Sequence, residues 1–167
     1  MFETRRLIIK PLSHDELKKY IDSPSDLAKD LCLMPSKTLI DKETKEAILN
    51  DLLPNIVDSN KDPIFYTMWI LIEKNIKTII GGICFHGEPN ETGEVEIGFG
   101  TDNEFRNKGY MTETISGLVQ WIKNNKKVKI IKAETNIENI SSVRVLEKND
   151  FKIYLRKDNS VILRFEL

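Results

Sequence analysis

The spacing of apolar residues switches repeatedly along this chain between a period of two and a period near 3.6, and each switch predicts an element. Leu7-Ile8-Ile9, closed by Pro11, reads as a first strand. Ser13 with Glu16 three residues on is a capping-box signature and predicts a helix to about Ile21. Ser25 starts a short second helix over 26–33, which Pro35 ends. Over 41–57, Ala47, Ile48, Leu52 and Ile56, with Leu53 beside them, mark one helical face. Pro54 lacks an N–H and should kink or break that helix. Segments 65–72 and 78–85 are rich in aromatic and branched residues and pair as a hairpin across the polar turn 73–77. A turn at 87–93 leads into an alternating strand, 94–101. Met111, Ile115, Leu118, Val119 and Ile122 follow helical spacing and predict an amphipathic helix over 110–124. A strand over 129–134, a helix over 139–148 with Asn139 as N-cap, and a hairpin of 151–156 with 161–165 across Asp158-Asn159 complete the series.

This order predicts an α/β fold: a mixed, mostly antiparallel sheet that includes a parallel pair, flanked by helices, in a single domain over 1–167. A chain of 167 residues can bury a sizeable core. Its net charge of -1 gives no global field toward nucleic acid or an anionic membrane, so neither partner is expected. The local cluster Lys126-Lys127-Val128-Lys129 reads as a solvated helix end and strand start. Cys32, Cys84, His14 and His86 lack metal-ligand spacing, so no metal is expected. Met1 to Arg6 has no apolar signal-peptide core, and no apolar run is long enough to span a bilayer. The expectation is a cytoplasmic protein with both cysteines reduced.

The richest stretch runs from Glu94 to Glu113. An alternating strand enters the short basic loop Arg106-Asn107-Lys108-Gly109, and the loop opens the helix at Tyr110. Such a junction aims several backbone N–H groups and a positive helix end at one place, which suits a diphosphate. Gly109 lets the backbone come close because no Cβ intervenes, and Arg106 and Lys108 add charge. The spacing Arg106-x-x-Gly109 resembles the acetyl-coenzyme A loop of the GCN5-related N-acetyltransferases (GNAT). That loop reads Arg or Gln, two residues, Gly, one residue, then Gly or Ala; Met111 stands at the last position here. A bulky side chain there can turn to the core while its N–H serves the ligand.

A second signature of that superfamily, N-x-x-S followed by a helix and an ending like K-x-G-F, resembles Asn139-Ile140-Ser141-Ser142 through Lys148-Asn149-Asp150-Phe151. Asp150 replaces the usual Gly, so a different turn is expected there. Many relatives carry a tyrosine acid at the position held here by Leu146. Its absence, the opening Glu3 to Leu12, and Glu96-Ile97-Gly98-Phe99 place the resemblance in the RimJ/RimL-like branch, which often uses a serine instead. Residues 13–63, which shape the acceptor pocket in such proteins, match least.

The resemblance implies transfer of acetyl from acetyl-CoA to a primary amine, directly and in a ternary complex. Phe99, Gly100, Thr101, Arg106, Asn107, Lys108, Gly109, Tyr110, Met111 and Thr112 would bind acetyl-CoA; Asn139 would hold the pantetheine arm and Ser142 would approach the sulfur. Asn139 and Ser142 also have capping roles, which a helix start combines with ligand binding. The attacking amine must lose a proton, and an oxyanion needs an N–H donor, with Phe99 as supplier. Glu94 and Glu96 share one strand face, opposite Val95, Ile97 and Phe99. Glu96, nearer the loop, is the candidate base or amine binder; His86 and a water chain are the alternatives. Tyr66 and Trp69 read as core or pocket wall. Two rivals stand beside this reading: a non-catalytic acyl-CoA sensor, and a nucleotide-binding enzyme, for which no G-x-x-x-x-G-K-[ST] or G-x-G-x-x-G pattern occurs. The acceptor amine, small molecule or protein N-terminus, and the oligomeric state, monomer or homodimer, are open.

Overall fold

The computed structural model describes residues 1–35 and 40–167. Among the described residues, eight strands form one sheet: β1 (Phe2–Glu3), β2 (Leu7–Pro11), β3 (Met68–Glu73), β4 (Thr78–Phe85), β5 (Glu94–Thr101), β6 (Ile130–Asn136), β7 (Lys152–Arg156) and β8 (Ser160–Glu166). Their spatial order is β1-β2-β3-β4-β5-β6-β8-β7. All neighbours are antiparallel except β5 and β6. The helices are α1 (His14–Asp22), α2 (Pro24–Asp30), α3 (Lys42–Ala47), α4 (Leu53–Ile56), α5 (Tyr110–Ile122) and α6 (Ile140–Glu147). The mixed, mostly antiparallel sheet flanked by helices is the fold class expected.

Two apolar clusters lie on opposite faces of the sheet. Trp69, Leu71, Val95 and Ile97 pack with Ile115, Leu118 and Ile122 of α5 and Leu146 of α6. Ile70, Ile72 and Ile79 pack with Leu17, Tyr20 and Leu27 of α1 and α2 and with Ile48 and Leu52. Over β5, β6 and β8, the second face carries charges in place of this apolar cover: Glu94 pairs with Arg164 at 2.6 Å and Glu96 with Lys132 at 2.6 Å.

The departures from the sequence expectation have local causes. β1 was not anticipated; its two residues pair with Ile8 and Ile9. The second helix starts at Pro24 rather than Asp26, because proline fits the first helical position, where no N–H is needed. Phe65 is not in a strand. Pro63–Phe65 is a 3-10 turn opened by Asp62, whose side chain accepts from the Ile64 N–H, so β3 begins at Met68. Pro54 neither breaks nor simply kinks its segment. Ile48–Leu52 forms a π-turn in which the Leu53 N–H bonds the Ile48 carbonyl, and the chain passes into α4 with Pro54 in its first turn. Asp150 does not change the turn after α6. It adopts a left-handed φ of 64°, and the Phe151 N–H reaches the Leu146 carbonyl at 3.2 Å while Asp150 reaches Glu147 at 3.0 Å. That is the glycine-type helix ending, in a conformation aspartate tolerates better than most residues.

Candidate active site

The sheet parts at one place. β5 pairs with β6 only from Glu94↔Ile130 to Glu96↔Lys132. Beyond that, among the described residues, Ile97 to Thr101 pairs only with β4, and Ala133 to Asn136 only with β8. The His86 N–H bonds the Glu96 carbonyl and the Asp102 N–H bonds the Ile80 carbonyl. Even-numbered residues of β5 therefore turn their backbone groups to β4. The N–H groups of Phe99 and Thr101 consequently face the opening. Phe99 is thus an edge donor, as the oxyanion role requires. The Thr101 carbonyl accepts a bond from Arg106 Nε at 3.0 Å.

The loop after β5 ends against this opening. Asn107 and Gly109 both have left-handed backbones, φ 60° and 76°. Gly109 is the N-cap of α5, and no side chain caps the helix; the first helical bond runs from the Glu113 N–H to the Gly109 carbonyl at 3.1 Å. The first-turn amides of Tyr110, Met111 and Thr112 thus lie before any intrahelical partner, at the positive end of a 13-residue helix. The Met111 side chain is buried in the core, leaving only its backbone to the loop. Arg106 and Lys108 are exposed beside it. These features suit the diphosphate of a coenzyme A thioester: bare amides, close backbone approach and two cations.

Arg6, which sequence reasoning missed, braces this loop. Its Nη1 donates to the Lys108 carbonyl at 2.9 Å and its guanidinium stacks 4.2 Å over the Tyr110 ring. Its Nε and backbone N–H both bond the Glu113 carboxylate, at 2.6 and 2.8 Å, and Thr4 adds a third bond at 2.6 Å. Burial pushes the Glu113 carboxyl up, but the bonds from Thr4 and Arg6 outweigh it and hold the group below its usual value. The only sequence signal for this brace was two polar residues flanking a short strand, more than a hundred positions from their partners.

A cavity of about 850 Å³ opens on the face of β4 and β5 opposite α5. Its floor is nearly bare: Gly82 pairs with Gly100, and Cys84 with Gly98. A Cβ added at Gly100 would meet no heavy atom of the described residues within 4 Å. His86 lines the cavity; its Nε2 would stand 2.8 Å from a Cβ at Gly98, so the ring lies over that glycine. The other ring nitrogen, Nδ1, is 3.3 Å from Glu96 Oε1, and the second Glu96 oxygen pairs with Lys132 at 2.6 Å. Glu96 is thus not part of the cavity wall, and it reaches the cavity through His86. The Glu96 pairing raises the Lys132 ammonium above its usual value. Burial pushes the Cys84 thiol up to about 11, so it stays protonated near neutral pH.

Asn139 caps α6: its side chain accepts from the Ser142 N–H at 3.2 Å and the Ser141 hydroxyl at 2.8 Å. Leu146, where relatives carry a tyrosine, is fully buried and offers no acid. The two helix ends are tied together, since Asn149 Nδ2 donates to the Thr112 carbonyl at 3.2 Å. Trp69 is core, and Tyr66 is half-buried with its hydroxyl 3.5 Å from Glu88.

A sheet that parts beside an uncapped helix start, with a cavity on the far face, defines an acetyltransferase fold. The chain belongs to the acetyltransferase (GNAT) domain family, whose model matches residues 6–152. It is similar to the N-acetyltransferase YjdG of Bacillus subtilis (strain 168), with 37% identity over 86 residues, 52% of this chain and 51% of that protein. The match therefore spans about half the length of that curated relative. Among solved structures, a GNAT-family acetyltransferase from Bacillus anthracis superposes with a TM-score of 0.62 at 18% identity, covering 98% of this chain and 96% of that one. RimL, a ribosomal L7/L12 α-N-protein acetyltransferase in complex with coenzyme A, superposes with a TM-score of 0.67 at 14% identity and the same coverage. The acetyltransferase of Salmonella typhimurium that modifies the N-terminal serine of L7/L12 gives 0.66 at 15% identity, covering 98% and 96%. These structural likenesses show a shared fold that includes RimL-type members.

Proposed function

We propose that residues 1–167 act as one N-acetyltransferase domain that moves acetyl from acetyl-CoA to a primary amine by direct transfer in a ternary complex. The observation that carries this reading is the meeting of three features at one spot: the uncapped start of α5, the free edge of β5, and a cavity bearing His86. Acetyl-CoA would supply the activated thioester. Arg106 to Thr112 would hold its diphosphate through backbone amides and the two cations. The edge of Phe99, Gly100 and Thr101 would bond the pantetheine arm, together with Asn139. The Phe99 N–H would also stabilise charge that develops on the carbonyl oxygen.

The amine arrives mostly protonated and must lose a proton to attack. His86 faces the cavity, and imidazole suits that task near neutral pH. Glu96 holds the ring from behind, while Lys132 fixes the carboxylate. In this assignment Glu96 is a positioning residue and His86 the base. Ser142 stands in for the missing tyrosine as the donor to the departing thiolate. The protonated Cys84 thiol favours direct transfer over a covalent relay. The buried Leu146 favours one rival, a non-catalytic acyl-CoA sensor. Release of free thiol from acetyl-CoA with a panel of primary amines decides between them: amine-dependent release supports the transferase, and tight acetyl-CoA binding with no release from any amine supports the sensor.

A further inference from the structure

The start of α5 and the end of α6 touch mainly through apolar side chains. Leu146 shares one core cluster with Met111, Ile115 and Leu118. Such packing holds two helices together without directional bonds. Among the described residues, one hydrogen bond joins α5 to the end of α6: Asn149 Nδ2 donates to the Thr112 carbonyl at 3.2 Å.

The chemistry of this bond leaves the side chain little freedom. Asn149 Nδ2 also donates to the Val145 carbonyl, at 2.9 Å. Both partners are carbonyls, so the amide must turn its nitrogen to them, and each takes one of its two hydrogens. The Asn149 backbone N–H bonds the Leu146 carbonyl at 2.9 Å, which leaves the Val145 carbonyl to the side chain. One half-buried amide thus finishes α6 and reaches across to α5.

Thr112 is the third residue of α5, inside the turn whose bare amides suit the diphosphate. At the far end of α6, a helix of eight residues and about 12 Å long, stand Asn139 and Ser142. In the reading above, the first place serves the diphosphate and the second the arm and thiol. Coenzyme A spans both, so the register of α5 along α6 decides whether its two halves bind together. The Arg6 brace holds the α5 turn independently, through Glu113 and the Lys108 carbonyl. The turn therefore keeps its own shape without Asn149, and what Asn149 adds is its place relative to α6. We infer that Asn149 is a positioning residue: by bonding the Thr112 and Val145 carbonyls together it sets the diphosphate turn of α5 at a fixed distance from the thiol end of α6. This rests on the acetyl-CoA reading of the same site.

The test uses ligands that touch one half of the site or both. Calorimetry compares coenzyme A with 3′-phospho-ADP, its nucleotide half without the pantetheine arm. A two-part ligand gains from simultaneous contact and loses that gain when the spacing is wrong. In Asn149→Ala, coenzyme A affinity is expected to fall by roughly three- to tenfold, the range of one hydrogen bond. Affinity for 3′-phospho-ADP should change by less than about twofold, because the turn that binds it is still braced. Asn149→Ser separates the tie from a helix-end role. A serine hydroxyl can bond the carbonyl four residues back, but its single hydrogen cannot serve Thr112 as well. This variant should lose coenzyme A affinity as alanine does while melting nearer the wild type. Equal loss for both ligands, loss for neither, or coenzyme A affinity restored by Asn149→Ser overturns the inference. So does wild-type binding of coenzyme A with no measurable binding of 3′-phospho-ADP. A wild-type protein that binds neither ligand overturns the acetyl-CoA reading, and this inference with it.

Discussion

Replacing Gly98 by alanine tests the His86–Glu96 pair by moving one ring. A Cβ at this position would stand 2.8 Å from His86 Nε2, and 3.5 Å from both His86 Cε1 and Cys84 Sγ. Ordinary contact between such atoms is about 3.5 Å or more, so the ring must withdraw by roughly 0.7 Å. It can do so at little cost to the fold. The His86 side chain is 53% exposed, and Gly98 is not among the residues with positive φ. The stability change should stay within about 1 kcal/mol. Misplacing a proton acceptor by about an ångström costs on the order of 10²-fold in rate. We therefore expect kcat for thiol release, at saturating acetyl-CoA, to fall by roughly that factor while the melting temperature barely moves. The new methyl also narrows the cavity, so His86→Gln is the necessary control. If Gly98→Ala acts through the ring, adding it to His86→Gln costs little more, and the two effects are far from additive. Wild-type kcat/KM in His86→Gln, or simple additivity in the double variant, would refute the assignment of His86 as base.

Gly109→Glu places a carboxylate in the diphosphate loop and a side chain on a φ of 76°. The strain is on the order of 1–2 kcal/mol, so a folded protein that no longer binds acetyl-CoA is expected, and calorimetry showing unchanged affinity would remove the loop from the site. Ser142→Ala should lower kcat more than it weakens acetyl-CoA affinity, and unchanged turnover would take serine out of the mechanism. Glu113→Gln loosens the Arg6 brace and should weaken acetyl-CoA binding by roughly tenfold, the scale of one charge-assisted hydrogen bond. The Glu113 carboxyl is lowered in the folded protein, so its stabilisation is complete above the ordinary value of 4.5 and is lost as pH falls through the lowered one. Acetyl-CoA affinity should accordingly be flat in this respect near neutral pH and fall in the acid range, and a Glu113→Gln protein should lose that acid fall.

What the sequence made legible was whatever depends on near neighbours. The period of α5, the strand parity that separates Glu94 and Glu96 from Val95 and Ile97, and the basic loop between them are all local. The substitutions at special backbone positions were harder to read. Asp150 in place of glycine suggested an altered turn, yet the αL conformation was kept, because φ > 0 is disfavoured for aspartate rather than forbidden. Pro54 suggested a break, yet a π-turn re-routes the bond that proline cannot donate. Long-range pairings left almost no trace. Arg6 and Glu113 are 107 residues apart and meet only because the β2 entrance packs against the start of α5. His86 and Glu96 become a pair only through the β4–β5 register, which sets the His86 N–H on the Glu96 carbonyl and leaves Gly98 bare beneath the ring. A glutamate in Glu-Ile-Gly therefore reads from sequence as a free carboxylate, whereas in the folded chain both its oxygens are engaged. That engagement shifts the search for the base one residue deeper into the cavity, onto a histidine that lies past a strand end. The glycine after Ile97 then has a role of its own: the absence of its side chain is what lets the imidazole lie over the sheet at the place where the amine would enter.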